Sequence, residues 1–244
     1  MRNLKKFLFI GEKPSLTRDV RSCYMNHKAE IQEKVGAIDF VALSGHVCAN
    51  YEPNDYDAWA DRKWPEVDYP MVPDHWAIKP INDARKKATI KLIKDKVKEY
   101  DGIIVGTDSD VEGYGIYYLL EHYLKIEKKY ALRFVEHSLT DAEILHSLLT
   151  MTDYHTDPVH VRFTQSFLLR NRADWLYGMN ATRIGSMKQN ALMKIGRVKC
   201  PTIKLVYDNS LAIDNFKPRT YYVLSADYGS FISILQNDDG KDAE

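Results

Sequence analysis

The chain has 244 residues, 45% hydrophobic and 28% charged, a mix that excludes a disordered tail or a collagen-like fibre and suits one large domain or two small ones at roughly 150 residues each. Its 34 basic and 34 acidic residues give a net charge of zero, which at face value speaks against a nucleic-acid partner. No apolar run approaches the roughly 18 residues of a membrane span. The apolar start from Phe7 to Gly11 is too short for a secretory signal, and Cys23, Cys48 and Cys200 are scattered without a CxxC pair, so a disulfide framework and a zinc site are disfavoured and a cytoplasmic protein is expected.

In chain order, residues 5–11 read as a buried strand bounded by Gly11. Pro14 and Ser15 open a helix, with Ser15 expected as its N-cap. Residues 38–43 read as a second strand, followed by the tight turn Ser44-Gly45-His46-Val47. Residues 51–80 hold Trp59, Trp64, Trp76 and five prolines, too aromatic for a flexible linker and read as an ordered irregular excursion. Residues 81–99 predict a helix with Ala84, Ala88, Leu92, Ile93 and Val97 inward and its lysines in solvent. A strand at 102–107, a helix from Gly113 to Tyr123, a strand at 131–135 and a Thr140-capped helix to Leu149 follow. This alternation predicts an α/β fold with a mainly parallel sheet. Further on, helices are expected over Pro158–Ala181 and Cys200–Asn209, then a break at Phe216–Pro218. The run TYYVLSADY and its possible hairpin partner SFISIL precede an Asp239-Gly240 turn signal. That ending reads as a β-rich domain begun and not finished.

Counted by segment, the zero charge is a cancellation. Residues 99–159 hold 4 basic and 12 acidic residues, while residues 160–219 hold 11 basic and 3 acidic, and such blocks point to function where a total does not. The acidic block contains Asp108-Ser109-Asp110-Val111-Glu112-Gly113 directly after an apolar strand, the sheet edge where ligands of α/β folds bind. If this segment stays extended, Asp108, Asp110 and Glu112 share one side. Their mutual repulsion would be relieved by a hard divalent cation such as Mg²⁺, which takes one or two carboxylates and keeps several waters. The competing reading is a turn plus helix cap, with Glu112 favoured by the helix dipole. Glu12 and Lys13 end the first strand. Were that strand the neighbour of 102–107, they would meet Asp108 and offer a proton-transfer group and a cation for phosphate chemistry. His46 reads as structural and Trp175 as helix packing, with Asp174 a partner for Arg170 or Arg172.

Taken together and in order, several segments resemble the N-terminal part of a type IA DNA topoisomerase, nearest the bacterial topoisomerase III branch. They are FLFIGEKPS at 7–15, SGHV at 44–47, YPMVPDHW at 69–76, Asp108 to Gly113, RADWLYGMNATR at 172–183 and GRVKCP at 196–201. The resemblance implies a Toprim domain over 1–157, a helical DNA-groove segment over 158–217 and the start of a β-rich arch domain over 218–244. It implies a Mg²⁺-dependent, ATP-independent enzyme that cuts one DNA strand through a 5′-phosphotyrosine, passes another strand and reseals the first. In that scheme Glu12 and Lys13 are catalytic and Asp108, Asp110 and Glu112 hold Mg²⁺. Arg170, Arg172, Arg183, Arg197 and Lys199 contact single-stranded segments of negatively supercoiled duplex. The basic block agrees with such a groove.

Two departures from the family pattern stand out. Ser109 and Val111 replace the usual proline and arginine, and none of the 16 tyrosines matches the family's nucleophile motif. Without a nucleophile covalent catalysis cannot proceed, so the chain is expected not to cleave DNA alone. It reads as a fragment, as a split subunit whose partner carries the tyrosine, or as a remnant that binds single strands without catalysis. A different Toprim enzyme, a primase or a nuclease using metal-bound water, is the remaining alternative.

Overall fold

The computed structural model describes residues 5–220 and 222–235 and divides into two compact units, Met1–Gly196 and Arg197–Glu244. The first is built on a five-stranded sheet in the order β2-β1-β5-β6-β7, with β1 (Lys6–Gly11), β2 (Ala37–Ala42), β5 (Gly102–Gly106) and β6 (Tyr130–Arg133) parallel and β7 (Thr152–Asp153) antiparallel at one edge. The parallel sheet that the sequence predicts is therefore present. Its strands are apolar on both faces because helices cover both.

Alternation along β1 divides the core. Leu8 and Ile10 enter a cluster with Ile103, Val105, Tyr117, Leu120 and Phe167, under α3 (Ala84–Lys96), α4 (Val111–Leu124) and α6 (Pro158–Gln189). Phe7 and Phe9 point the other way, toward Val20, Ile31, Ile104, Phe134 and Leu148, under α1 (Pro14–Asn26), α2 (Lys28–Lys34) and α5 (Asp141–Leu149). The long α6 lies along α4 at a close approach: a Cβ on Gly115 would stand 2.1 Å from the Phe167 ring. The predicted irregular excursion is ordered. It carries the short antiparallel pair β3 (Cys48–Asn50) and β4 (Ile78–Pro80), and its aromatics pack on α6. Trp76, Trp59 and Tyr56 surround the buried Trp175, whose Nε1 donates to the Tyr51 carbonyl at 2.8 Å.

Local expectations shift in three places. Lys13, not Ser15, is the N-cap of α1, because Pro14 takes the first helical position where its missing N–H does no harm. Of the side chains predicted inward on α3, Ile93 and the C-cap Val97 are buried, joined by Ile90 at a spacing of three and four, while Ala84, Ala88 and Leu92 lie exposed on a neighbouring row. The seven-residue α2 holds one buried apolar side chain, Ile31, and gives no periodic signal. In the second unit, α7 (Lys199–Asp214) is followed by the antiparallel hairpin β8 (Ser225–Asp227) and β9 (Ile232–Ile234); the Asp239-Gly240 turn lies outside the described residues. No described helix is long and apolar enough to cross a membrane.

Candidate active site and metal centre

Register fixes the site. β1 and β5 are neighbours, and Gly11 sits opposite Gly106, so Glu12 and Asp108 leave the sheet side by side. The Glu12 N–H donates to the Gly106 carbonyl at 3.3 Å, extending the ladder by one residue. Glu12 is 7% exposed and its Oε2 accepts from the Asp108 N–H at 3.1 Å. From the α1 N-cap, the Lys13 ammonium lies 3.3 Å from Glu12 Oε1 and pairs directly with the Asp108 carboxylate. The Asp108 bond, reinforced by Glu12, raises the Lys13 pKa above its ordinary value against a smaller desolvation effect. A carboxylate, an ammonium and a second carboxylate thus form one chain at the carboxyl end of the sheet.

The segment is extended only as far as Asp110. There Asp110 becomes the N-cap of α4, its Oδ1 accepting from the Gly113 N–H at 2.7 Å, and the helix begins at Val111. The turn-plus-cap reading of the motif is therefore present, and the expectation that all three carboxylates share one side fails at Glu112, which the cap turns away from the other two. Glu112 accepts from His46 Nε2 at 3.2 Å and pairs with Arg170 of α6. Gly113 permits the turn: a Cβ there would stand 2.0 Å from the Asp108 carbonyl oxygen. Carboxylate repulsion is here relieved by Lys13, Arg170 and a backbone N–H. The acidic motif does not gather three ligand atoms within 4.8 Å; among the described residues Cys23, His27 and Asp141 do. The donors still suit a hard cation. Asp108 is half-buried and Asp110 exposed, two carboxylates with access to solvent, a donor set of the kind that Mg²⁺ takes.

Two residues that sequence reasoning passed over complete the site. Arg133, at the end of β6 and 1% exposed, donates to the carbonyls of Val105 (2.8 Å), Thr107 (2.7 Å) and Asp108 (2.7 Å). Its guanidinium lies 4.4 Å from the Tyr114 ring centroid. It clamps the backbone that carries Asp108. Its only sequence signal was a lone cation between apolar neighbours in Ala131-Leu132-Arg133-Phe134. Glu136 accepts from Ser109 Oγ at 2.8 Å, and burial raises its pKa.

The basic residues disperse. Arg170 is engaged by Glu112, the exposed Arg172 stacks over Trp76 at 5.4 Å, and Arg183 lies 5.2 Å from the Trp64 ring and donates to the Met179 carbonyl at 3.2 Å. Burial lowers the Arg183 pKa. Arg197 and Lys199 are exposed residues of the second unit, Lys199 opening α7.

The family described as the Toprim domain matches residues 7–137, and the family described as DNA topoisomerase matches residues 159–243. Among curated proteins, DNA topoisomerase 3 of Staphylococcus haemolyticus is 31% identical over 229 residues, covering 92% of this chain and 31% of that protein. The enzyme of the same name from Vibrio cholerae is 29% identical over 228 residues, 90% of this chain and 35% of its own length. That of Pasteurella multocida is 27% identical over 227 residues, 90% of this chain and 34% of its own. The chain spans about a third of the length of these relatives.

Proposed function

Since the chain belongs to the type IA DNA topoisomerases, of which it carries the N-terminal region with its Toprim domain, we propose that it supplies the metal-assisted half of a strand-cleavage and religation centre. The observation that carries this is the contact chain Glu12–Lys13–Asp108 at the end of adjacent strands. In the reaction, a tyrosine oxygen supplied from outside these 244 residues attacks a backbone phosphorus. The 3′-oxygen leaves, and a 5′-phosphotyrosine retains the bond energy, so resealing needs no ATP. Lys13, half-exposed, places its ammonium beside the phosphate as negative charge gathers on the non-bridging oxygens. The tyrosine gives up its hydroxyl proton to solvent as it attacks, and the Glu12 carboxylate relays a proton from solvent to the departing 3′-oxygen; both transfers run backwards on religation. Its buried position beside the Asp108 N–H holds the carboxyl at one fixed place.

Asp108 and Asp110, with Glu112 reaching in when released from Arg170, would hold Mg²⁺, which when bound supplies positive charge that draws the phosphodiester and the carboxylates together. The division of labour follows the chain. Residues 1–157 carry this centre, 158–217 supply cations for a single-stranded DNA backbone, Arg170, Arg172 and Arg183 from the first unit and Arg197 and Lys199 from the second, and 218–244 begin the arch. The substrate is a single-stranded segment of negatively supercoiled DNA.

The test joins two measurements. Calorimetry should show Mg²⁺ binding to the chain, lost in the Asp108→Asn/Asp110→Asn pair. With a tyrosine-bearing topoisomerase 3 domain added in trans, Mg²⁺-dependent relaxation of supercoiled DNA should appear and vanish with Lys13→Ala. Mg²⁺-dependent nicking by the chain alone, with no protein–DNA adduct, would instead make it a hydrolytic nuclease.

A further inference from the structure

Remote in sequence from the acidic motif, one more cluster of ligating side chains lies between α1, α2 and α5. Cys23 and His27 are four residues apart, and the His27 N–H donates to the Cys23 carbonyl at 3.0 Å. That bond continues the helical turn and puts both side chains on one face. Asp141, the first residue of α5, comes to meet them. His27 Nε2 lies 2.6 Å from Asp141 Oδ2, and Cys23 Sγ lies 3.4 Å from the Asp141 backbone oxygen. Asn26 Nδ2 donates to Asp141 Oδ1 at 3.3 Å, orienting the carboxylate from behind. A sulfur, an imidazole nitrogen and a carboxylate oxygen thus all stand within 4.8 Å of one another.

We propose that Cys23, His27 and Asp141 form a second metal site, separate from the acidic centre, that takes a borderline transition-metal dication of the Zn²⁺ type. The ligand set decides the class of ion. Thiolate and imidazole suit Zn²⁺ and its neighbours and are poor ligands for Mg²⁺ or Ca²⁺. Bond lengths of about 2.0–2.3 Å put tetrahedral ligand atoms roughly 3.3–3.8 Å apart, so side-chain movements of about an ångström close the set. The burial is graded as a three-ligand site requires. Cys23 is 1% exposed, whereas the His27 and Asp141 side chains are 32% and 50% exposed, so the fourth position opens to water. On binding, the Cys23 thiol gives its proton to solvent as the sulfur–metal bond forms, and the His27–Asp141 hydrogen bond is exchanged for two metal bonds. The ion would be a clip joining the first two helices to α5, on the sheet face opposite α3 and α4. Cysteine spacing gave no hint of it because the third ligand lies 114 residues from His27.

Co²⁺ titration of the intact chain tests the site. The expected result is one Co²⁺ per chain with a thiolate-to-metal absorption band in the near ultraviolet, displaced by Zn²⁺. The band should persist in Cys48→Ser, Cys200→Ser and Asp108→Asn/Asp110→Asn and disappear in Cys23→Ser. His27→Gln and Asp141→Asn should each weaken binding by about tenfold or more. These two variants decide the matter if Cys23→Ser does not fold. No thiolate band at millimolar Co²⁺, a band that survives Cys23→Ser, or full affinity in both His27→Gln and Asp141→Asn would overturn the proposal.

Discussion

Arg133→Met is the most informative perturbation of the acidic centre, because it leaves every predicted ligand in place. Methionine fills similar space without a charge. The guanidinium donates to three carbonyl oxygens, those of Val105, Thr107 and Asp108, in a place that is 1% exposed; the Val105 carbonyl also accepts from the Phe134 N–H at 3.1 Å, so the Thr107 and Asp108 carbonyls are the two that lose their donor. A buried acceptor left without a donor costs about 1–3 kcal/mol, and the lost stacking on Tyr114 adds roughly 0.5–2 kcal/mol. Against this stands the released desolvation penalty of a buried cation, so the lower end of each range applies and the sum over two acceptors and the stacking is about 2–3 kcal/mol. The four tryptophans, Trp59, Trp64, Trp76 and Trp175, all lie in the first unit, so urea unfolding followed by tryptophan fluorescence reports on that unit alone. The midpoint should fall accordingly. Mg²⁺ affinity should drop by about tenfold as the Asp108 backbone loses its clamp, and Arg133→Lys should recover part of both. A variant within about 1 kcal/mol of the parent, well below the expected loss, with unchanged Mg²⁺ affinity would refute the assignment of Arg133 as the residue that positions Asp108.

Other consequences can be checked in the same assays. Gly115→Ala gains up to about 1 kcal/mol of helix propensity but drives a Cβ into the Phe167 ring, an overpacking penalty of about 1–3 kcal/mol; the melting temperature should fall and recover partly in Gly115→Ala/Phe167→Leu. Asp110→Asn should separate capping from metal binding: asparagine caps as well as aspartate, so stability should change by less than about 0.5 kcal/mol, while calorimetric Mg²⁺ affinity falls. The buried Glu121 accepts from His155 Nε2 at 2.7 Å and, as the largest cause, raises the His155 pKa above 6.5. The folded state then binds the proton more tightly than the unfolded, so the pair's stabilisation is complete below pH 6.5 and is lost as pH rises through the folded-state value. Urea midpoints between pH 6 and 9 should show this decline in the parent and lose it in Glu121→Gln.

What the sequence disclosed follows from how local each signal is. The strands were legible because a parallel sheet covered on both faces leaves nothing but apolar residues in Phe7–Ile10 and Ile103–Val105. The acidic motif was legible as composition but not as geometry. Spacing by two holds from Asp108 to Asp110, and one hydrogen bond from Gly113 then converts the chain to helix before Glu112. On α3 the alanines count as apolar in any periodicity yet have too little surface to demand burial, so Ile90 and Ile93 set the face instead. Arg133 was invisible for the opposite reason: its partners are backbone carbonyls, which no side-chain pattern encodes.

The charge blocks take on a physical meaning once these contacts are known. Residues 99–159 carry eight more acidic than basic groups, yet the motif at their centre is locally compensated: Lys13 lies on Asp108, Arg170 on Glu112, and Arg133 sits beneath the loop. Two of those three cations come from outside the acidic block, one from the first strand's end and one from the basic helix α6. The separation in sequence is therefore a juxtaposition in space. On the proposed function, a phosphodiester entering the site would compete with Asp108 and Glu112 for Lys13 and Arg170, and each ion pair it opened would free a carboxylate for a divalent cation. Under that proposal DNA and metal binding should favour each other by the same factor in both directions, as linkage requires; equal Mg²⁺ affinity with and without a single-stranded oligonucleotide would refute it.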